Sequence, residues 1–128
     1  MITIALTSIF VEDQQRALDF YTSVVGFEKK LDEPVGEFRW LTVTTAGVTD
    51  GVQLLLEPND NPVSQAFQKG IREQGIPATS FVVDDLEMEF ERMTLAGAVF
   101  VQPPTDLGGV LGATFDDTVG NLIGLTQV

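Results

Sequence analysis

The side chains that most often carry nucleophilic, acid–base or metal chemistry are scarce. The 128-residue chain has no histidine and no cysteine. That removes the imidazole base, the thiolate nucleophile and the usual zinc ligands. Four serines remain: Ser8, Ser23, Ser64 and Ser80. A hydroxyl without a base is not a nucleophile. Ser8 and Ser80 fall at equivalent points of two predicted strands, and period-two alternation turns both to one face. They read as hydroxyls that orient a ligand or, more simply, as small residues in a curved sheet. The acidic pairs Glu12-Asp13 and Asp84-Asp85 precede predicted helices, where capping and the helix dipole favour carboxylates. Asp116-Asp117 precedes Gly120-Asn121 and reads as turn chemistry. Glu57 ends a strand as a rim residue with no partner to make it a base. No catalytic residue is assigned.

The aromatic residues are more suggestive. Phe10, Phe38, Trp40, Phe81 and Phe115 sit on predicted strands. Alternation puts Phe10 with Leu6 and Ser8, and Trp40 with Phe38 and Thr42, while Arg39 points the other way. Small-ligand sites are mostly apolar and aromatic. The lone Trp40 either stacks on a planar or cationic ligand or fills the core. Phe81 reads as a core residue on the helix side. Gly108, Gly109 and Gly112 lack the Lys and helix start of a phosphate loop. The Gly108-Gly109 pair reads as a loop over a cleft mouth.

The elements that hold these residues repeat. Residues 11–28 and 83–100 each run from Val and two acids into an amphipathic helix, a glycine and an apolar strand. Gly51 to Leu55 resembles Asn121 to Leu125. Two copies of a βαβββ unit account for this. In the first, Ile2 to Val11 reads as a strand. Asp13 caps a helix striped by Ala17, Leu18, Tyr21 and Val24 or Val25. Gly26 closes that helix. Phe27 to Leu31, Phe38 to Thr44 and Val52 to Glu57 follow as strands, with turns at 32–36 and 46–51. Pro58 to Pro62 is the one linker, and Val63 to Glu73 a short helix closed by Gly75. In the second, Pro77 to Val83 is a strand, and Asp85 caps a helix striped by Leu86, Phe90 and Met93. Strands follow at Val99 to Val101, Val110 to Phe115 and Leu122 to Thr126. Gln102 to Gly109, with two prolines and two glycines, reads as a loop. The expected architecture is α+β: one domain over 1–128, with module 1 at about 1–58, linker and helix at 59–75 and module 2 at about 76–128. Since a unit this small buries little alone, the two should share a sheet face and pair their edges, giving a curved mixed sheet around a cleft with helices outside.

Composition narrows the partners. Seven Lys and Arg against nineteen Asp and Glu give a formal charge of −12. Such a surface repels nucleic-acid phosphates and anionic membranes. It keeps a protein soluble, and it also concentrates small cations. The N-terminal residues lack the basic and long apolar runs of a signal peptide, so a cytoplasmic location is expected.

Ile9-Phe10-Val11-Glu12-Asp13, Ala17-Leu18-Asp19-Phe20-Tyr21 and Val25-Gly26-Phe27, together with Phe115-Asp116-Asp117-Thr118-Val119-Gly120-Asn121-Leu122-Ile123, resemble the terminal signatures of the vicinal oxygen chelate superfamily. That group contains glyoxalase I, extradiol dioxygenases, and fosfomycin- and bleomycin-resistance proteins. The resemblance covers nearly the whole chain. It implies two βαβββ modules around a cleft and a frequent homodimer. In metal-dependent members, ligands come from four strand positions. Carried over, these are Leu6, Gln53, Ala78 and Gly124, of which only Gln53 has a donor oxygen. One neutral ligand falls short of the roughly three to four that zinc takes, and no iron face can be built. The resemblance therefore implies a metal-independent binding protein of the bleomycin-resistance type, without cofactor. It would hold an apolar or cationic small molecule against Leu6, Ser8, Phe10, Trp40, Gln53, Ala78, Ser80 and Gly124. An enzyme of the same fold (lyase, isomerase or dioxygenase) with an unrecognised site, and an interaction module with a vestigial cleft, are the alternatives.

Overall fold

A computed structural model describes residues Met1–Val128. Its elements are β1 (Leu6–Val11), α1 (Gln14–Phe20), β2 (Glu28–Val35), β3 (Phe38–Thr44), β4 (Gln53–Pro58), α2 (Pro62–Glu73), β5 (Thr79–Val83), α3 (Leu86–Leu95), β6 (Val99–Asp106), β7 (Leu111–Asp116) and β8 (Leu122–Gln127). The two βαβββ units are plain. Each folds as a four-stranded mixed sheet, in the orders β1-β4-β3-β2 and β5-β8-β7-β6, with the first and last strand of each unit parallel. The expected pairing of sheet edges is absent: β1 and β5 form no ladder with each other. The units are joined instead by a main-chain bond from Glu12 N to Val119 O at 3.0 Å and, for the rest, by side chains.

Those side chains form one apolar core. Ile9, Val11, Leu41, Val43, Leu54 and Leu56 from the first sheet meet Ala113, Phe115, Ile123 and Leu125 from the second. Ala17, Leu18, Phe20 and Tyr21 of the first helical segment, and Leu86 and Met93 of α3, fill the space between. Alternation dictates this: residues 9 and 11 face inward, so 6, 8 and 10 face out. Burying each large side chain contributes about 1.5–3 kcal/mol.

The helix starts are as expected. The Asp13 carboxylate accepts from Arg16 N at 2.9 Å, and the Asp85 carboxylate accepts from Met88 N at 3.1 Å. After α1 the chain widens into a π turn, Tyr21–Val25, which ends at Gly26 with φ 100°.

Three expectations are corrected. Residues 2–5 are not in a strand, because β4 begins at Gln53 and offers no partner beyond the bond from Gln53 N to Ala5 O. Residues 32–35 continue β2 rather than turning, and the turn is confined to Gly36 and Glu37. Segment 102–106 continues β6 through Pro103 and Pro104. Both β2 and β6 are edge strands. There a proline's missing N–H faces no partner, and the register shifts at Gln102 and Thr105 absorb the rest.

A polar network bolts the modules together beneath the apolar core. The Tyr21 hydroxyl donates to Asp117 Oδ2 at 2.6 Å. Asp117 also accepts from Val119 N, Asn121 N and Asn121 Nδ2. Asn121 Nδ2 further donates to Phe10 O, on the free edge of β1. Burial pushes the Asp117 carboxyl up, against the opposing pull of these donors. Burial and then the Asp117 charge push the Tyr21 hydroxyl well above its ordinary value.

Candidate functional site

The first sheet leaves one face open. Leu6, Ser8 and Phe10 of β1 project there, opposite the buried Ile9 and Val11. Register sets Leu6 beside Gln53, Ser8 beside Leu55, and Phe10 beside Glu57. On β3, Thr42 pairs Leu55 and so lies in the row of Ser8. Trp40 sits one row further, opposite Glu33 on β2. Two residues along the β3/β4 register, Trp40 also meets Glu57, and both line a hollow of about 210 Å³ with Val35, Phe38 and Pro58. Trp40 is 41% exposed. An aromatic plate flanked by Glu33 and Glu57 suits an organic cation.

Arg39 holds Trp40 in that orientation from the far side. Its Nε and Nη2 donate to the two Asp32 oxygens at 2.9 and 2.7 Å, and Nη1 donates to Gln15 of α1. The Gln14 amide clamps the Arg39 backbone. The Arg39 bonds hold the Asp32 carboxyl down to about 2. This contribution is complete above the ordinary carboxylate range and is lost as pH falls towards 2. Carboxyl-carbon NMR should show Asp32 titrating near that value, and Arg39→Ala should return it towards the range of a free carboxylate. An unchanged midpoint in the variant would refute the pairing.

On the second sheet, Ser80 pairs Gly124. The fit there is close, since a Cβ at 124 would crowd Ser80 and force its hydroxyl to rotate away. Ala78 precedes β5 and donates its N–H to Leu122 O. Thus Leu6 is level with Gln53, whereas Gly124 is level with Ser80 rather than Ala78.

The eight residues named from sequence do not share one cavity. Ser8, Phe10 and Ala78 line a hollow of about 80 Å³ between the modules, closed by Phe67 and Ile71 of α2. Ser80 lines a second, of about 210 Å³, with Thr7, Phe27 and Phe81. Trp40 lines the third. Leu6, Gln53 and Gly124 line none of these. Phe67, Ile71 and the Glu33–Trp40–Glu57 row were not picked out from sequence. The helical spacing of Val63, Phe67 and Ile71 was the available signal. The largest hollow, about 610 Å³, is lined only by polar groups and Gly120 and contains the Arg72–Asp116 ion pair at 2.7 Å. None of its lining residues is hydrophobic, so it offers no apolar side chain to an apolar ligand.

A divalent metal of the kind used by catalytic relatives does not fit the donor set. Gln53 Oε1 already accepts from Thr42 Oγ1 at 2.7 Å. No three His, Cys, Asp or Glu side chains converge. No helix is long and apolar enough to cross a membrane.

Comparison with known proteins agrees with this architecture. The model of the Glyoxalase/Bleomycin resistance protein/Dioxygenase superfamily matches residues 3–125. The uncharacterized protein YurT of Bacillus subtilis (strain 168) is 49% identical over 124 residues, spanning 97% of this chain and 98% of that protein. The crystal structure of UcmS2 matches with a TM-score of 0.86 at 30% identity, over 100% of this chain and 99% of that one. TnmS3, an antibiotic binding protein from Streptomyces sp. CB03234, matches with a TM-score of 0.76 at 28% identity, over 99% and 96%. Sequence and fold together place the chain in the glyoxalase/bleomycin resistance protein/dioxygenase superfamily, whose members share the vicinal oxygen chelate fold.

Proposed function

We propose that this protein binds a small organic molecule, aromatic and preferably cationic, on the open face of its first sheet, without a metal. The observation that carries the reading is Trp40, exposed between Glu33 and Glu57 on the face that also bears Phe10 and Ser8. The likeness to an antibiotic binding protein supports it. So does the net charge of −12. A second copy of the chain is proposed to close the face: Ile2 and Ile4, 100% and 84% exposed, and Leu6 form an alternating apolar arm without cover on their own chain.

Tryptophan fluorescence tests this directly, because Trp40 is the only tryptophan. Crystal violet, an aromatic cation, and N-phenyl-1-naphthylamine, a neutral aromatic, should both quench it saturably at micromolar concentration, the cation more tightly. Trp40→Ala should weaken crystal violet binding, followed by dye absorbance, by tenfold or more, a loss of about 1.4 kcal/mol. Absence of saturable quenching by either dye, or equal affinity in the variant, would sink the reading.

A further inference from the structure

Helix α2 lies outside both repeats and is built inside out. Its buried residues are Ser64 and Gln68, while Val63 and Phe67 are 78% and 56% exposed. An ordinary surface helix turns its apolar stripe inward. Here hydrogen bonds fix the opposite rotation. Gln68 Nε2 donates to Phe10 O at 3.0 Å, Val119 O at 3.0 Å and Asn121 Oδ1 at 3.1 Å, and Gln68 Oε1 accepts from Asn59 Nδ2 at 2.7 Å. Ser64 is tied to Asn61 by its N–H and its hydroxyl. Turning the stripe inward would strand these buried polar groups, so it cannot relax by rotation.

The same amide seats α2 against the edge of β1. Phe67 and Ile71 then face Ser8, Phe10 and Ala78 across the 80 Å³ hollow. Phe10 and Trp40 lie two strands apart on one sheet face, about 10 Å. An aromatic molecule resting on Trp40 and reaching the β1 edge would meet the α2 stripe.

We propose that α2 is a wall of the binding cleft, with Phe67 and Ile71 gripping the apolar end of the ligand and Gln68 acting as the positioning residue that turns them outward. The proposal rests on the cleft reading above. Its occupant is the small molecule, and a protein covering the stripe is the competing outcome.

The test moves the reporter. In the double variant Trp40→Phe/Phe67→Trp the single tryptophan sits on α2, and N-phenyl-1-naphthylamine is the probe. Saturable quenching of this relocated tryptophan is expected, at the concentration that quenches Trp40 in the natural chain. Phe67→Ala should weaken the probe about tenfold while sedimentation velocity shows the oligomeric state unchanged. Probe binding that quenches Trp40 in the natural chain but leaves the relocated tryptophan unquenched would overturn this proposal and leave the cleft reading standing. Failure of the natural chain to bind the probe or crystal violet would overturn both. Dissociation of an oligomer by Phe67→Ala, with probe affinity intact, would assign the stripe to a protein interface and overturn it too.

Discussion

Replacing Asp117 with alanine should cost the fold about 3 kcal/mol, read as a lower urea midpoint. The carboxylate is fully buried and accepts four donors: the Tyr21 hydroxyl, the Asn121 side chain, and the N–H groups of Val119 and Asn121. Removing it takes the acceptor from the Tyr21 hydroxyl and from the N–H groups of Val119 and Asn121, and leaves Asn121 Nδ2 with Phe10 O alone. Tyr21→Phe deletes only one donor and should cost about 1 kcal/mol. The double variant should cost less than the sum, because both changes break the same bond. Strict additivity would mean that the 2.6 Å contact contributes nothing to coupling the modules. The pH dependence has a definite sign. Burial holds the Asp117 pKa above the ordinary carboxylate value. Between that value and the raised one, the native chain keeps a proton that the unfolded chain has lost. Stability therefore falls as pH rises through that window. Asp117→Asn, less stable overall, should lack this slope.

The two-module architecture was legible because its signals are local. Asp13 and Asp85 cap their helices, Gly26 ends the first helical segment, and alternation on β1 and β3 sorts Ile9, Val11, Leu41 and Val43 from Ser8, Phe10 and Trp40. Strand ends were less legible where the sheet context decides them. Pro34, Pro103 and Pro104 look like breakers, yet each sits on an edge strand, where its lack of an N–H is harmless. Whether a strand is an edge is a property of the sheet and not of its own residues. Conversely, Ile2 and Ile4 read as strand but find no partner, since the length of β1 is set by β4.

The candidate site was half legible for a similar reason. Alternation alone turns Trp40 away from Arg39, and the structure has Arg39 bonding Gln15 on the helix side. Which carboxylates flank Trp40 depends on register between strands, so Glu33 and Glu57 could not be paired with it from sequence. Asp117 read as turn chemistry, which it is for Val119 and Asn121. Its bond to Tyr21, 96 residues away, has no local trace. The span of helix α2 was legible, expected at Val63 to Glu73 and found at Pro62–Glu73, but its rotation was not. Its stripe is clear in sequence, but a stripe is expected to face inward, and only the buried bonds of Gln68 reverse it.

Gly120→Ala should be among the most damaging single changes in the chain, at about 3 kcal/mol or more, the sum of a strained backbone and a displaced amide. Gly120 has φ 105°, where an L-residue is strained by about 1–2 kcal/mol. A Cβ there would also stand 2.5 Å from Gln68 Nε2 and 2.8 Å from its Cδ. The amide must then move, leaving Asn121 Oδ1 without its donor, while Phe10 O keeps Asn121 Nδ2 and Val119 O keeps Glu12 N, at about 1–3 kcal/mol. The two costs separate in a double-variant cycle read by urea unfolding. Gln68→Ala removes the obstacle and itself forfeits the amide's bonds. Adding Gly120→Ala to it should therefore cost only the backbone strain, and the cycle should show a coupling of about 1–3 kcal/mol. Full additivity would place the whole effect in the backbone and break the link between the glycine turn and α2. With the coupling present, Gly120, Gln68 and Phe67 act as one device: the turn needs a glycine so that the amide can pass over it, and the amide's position sets which face of α2 meets the cleft.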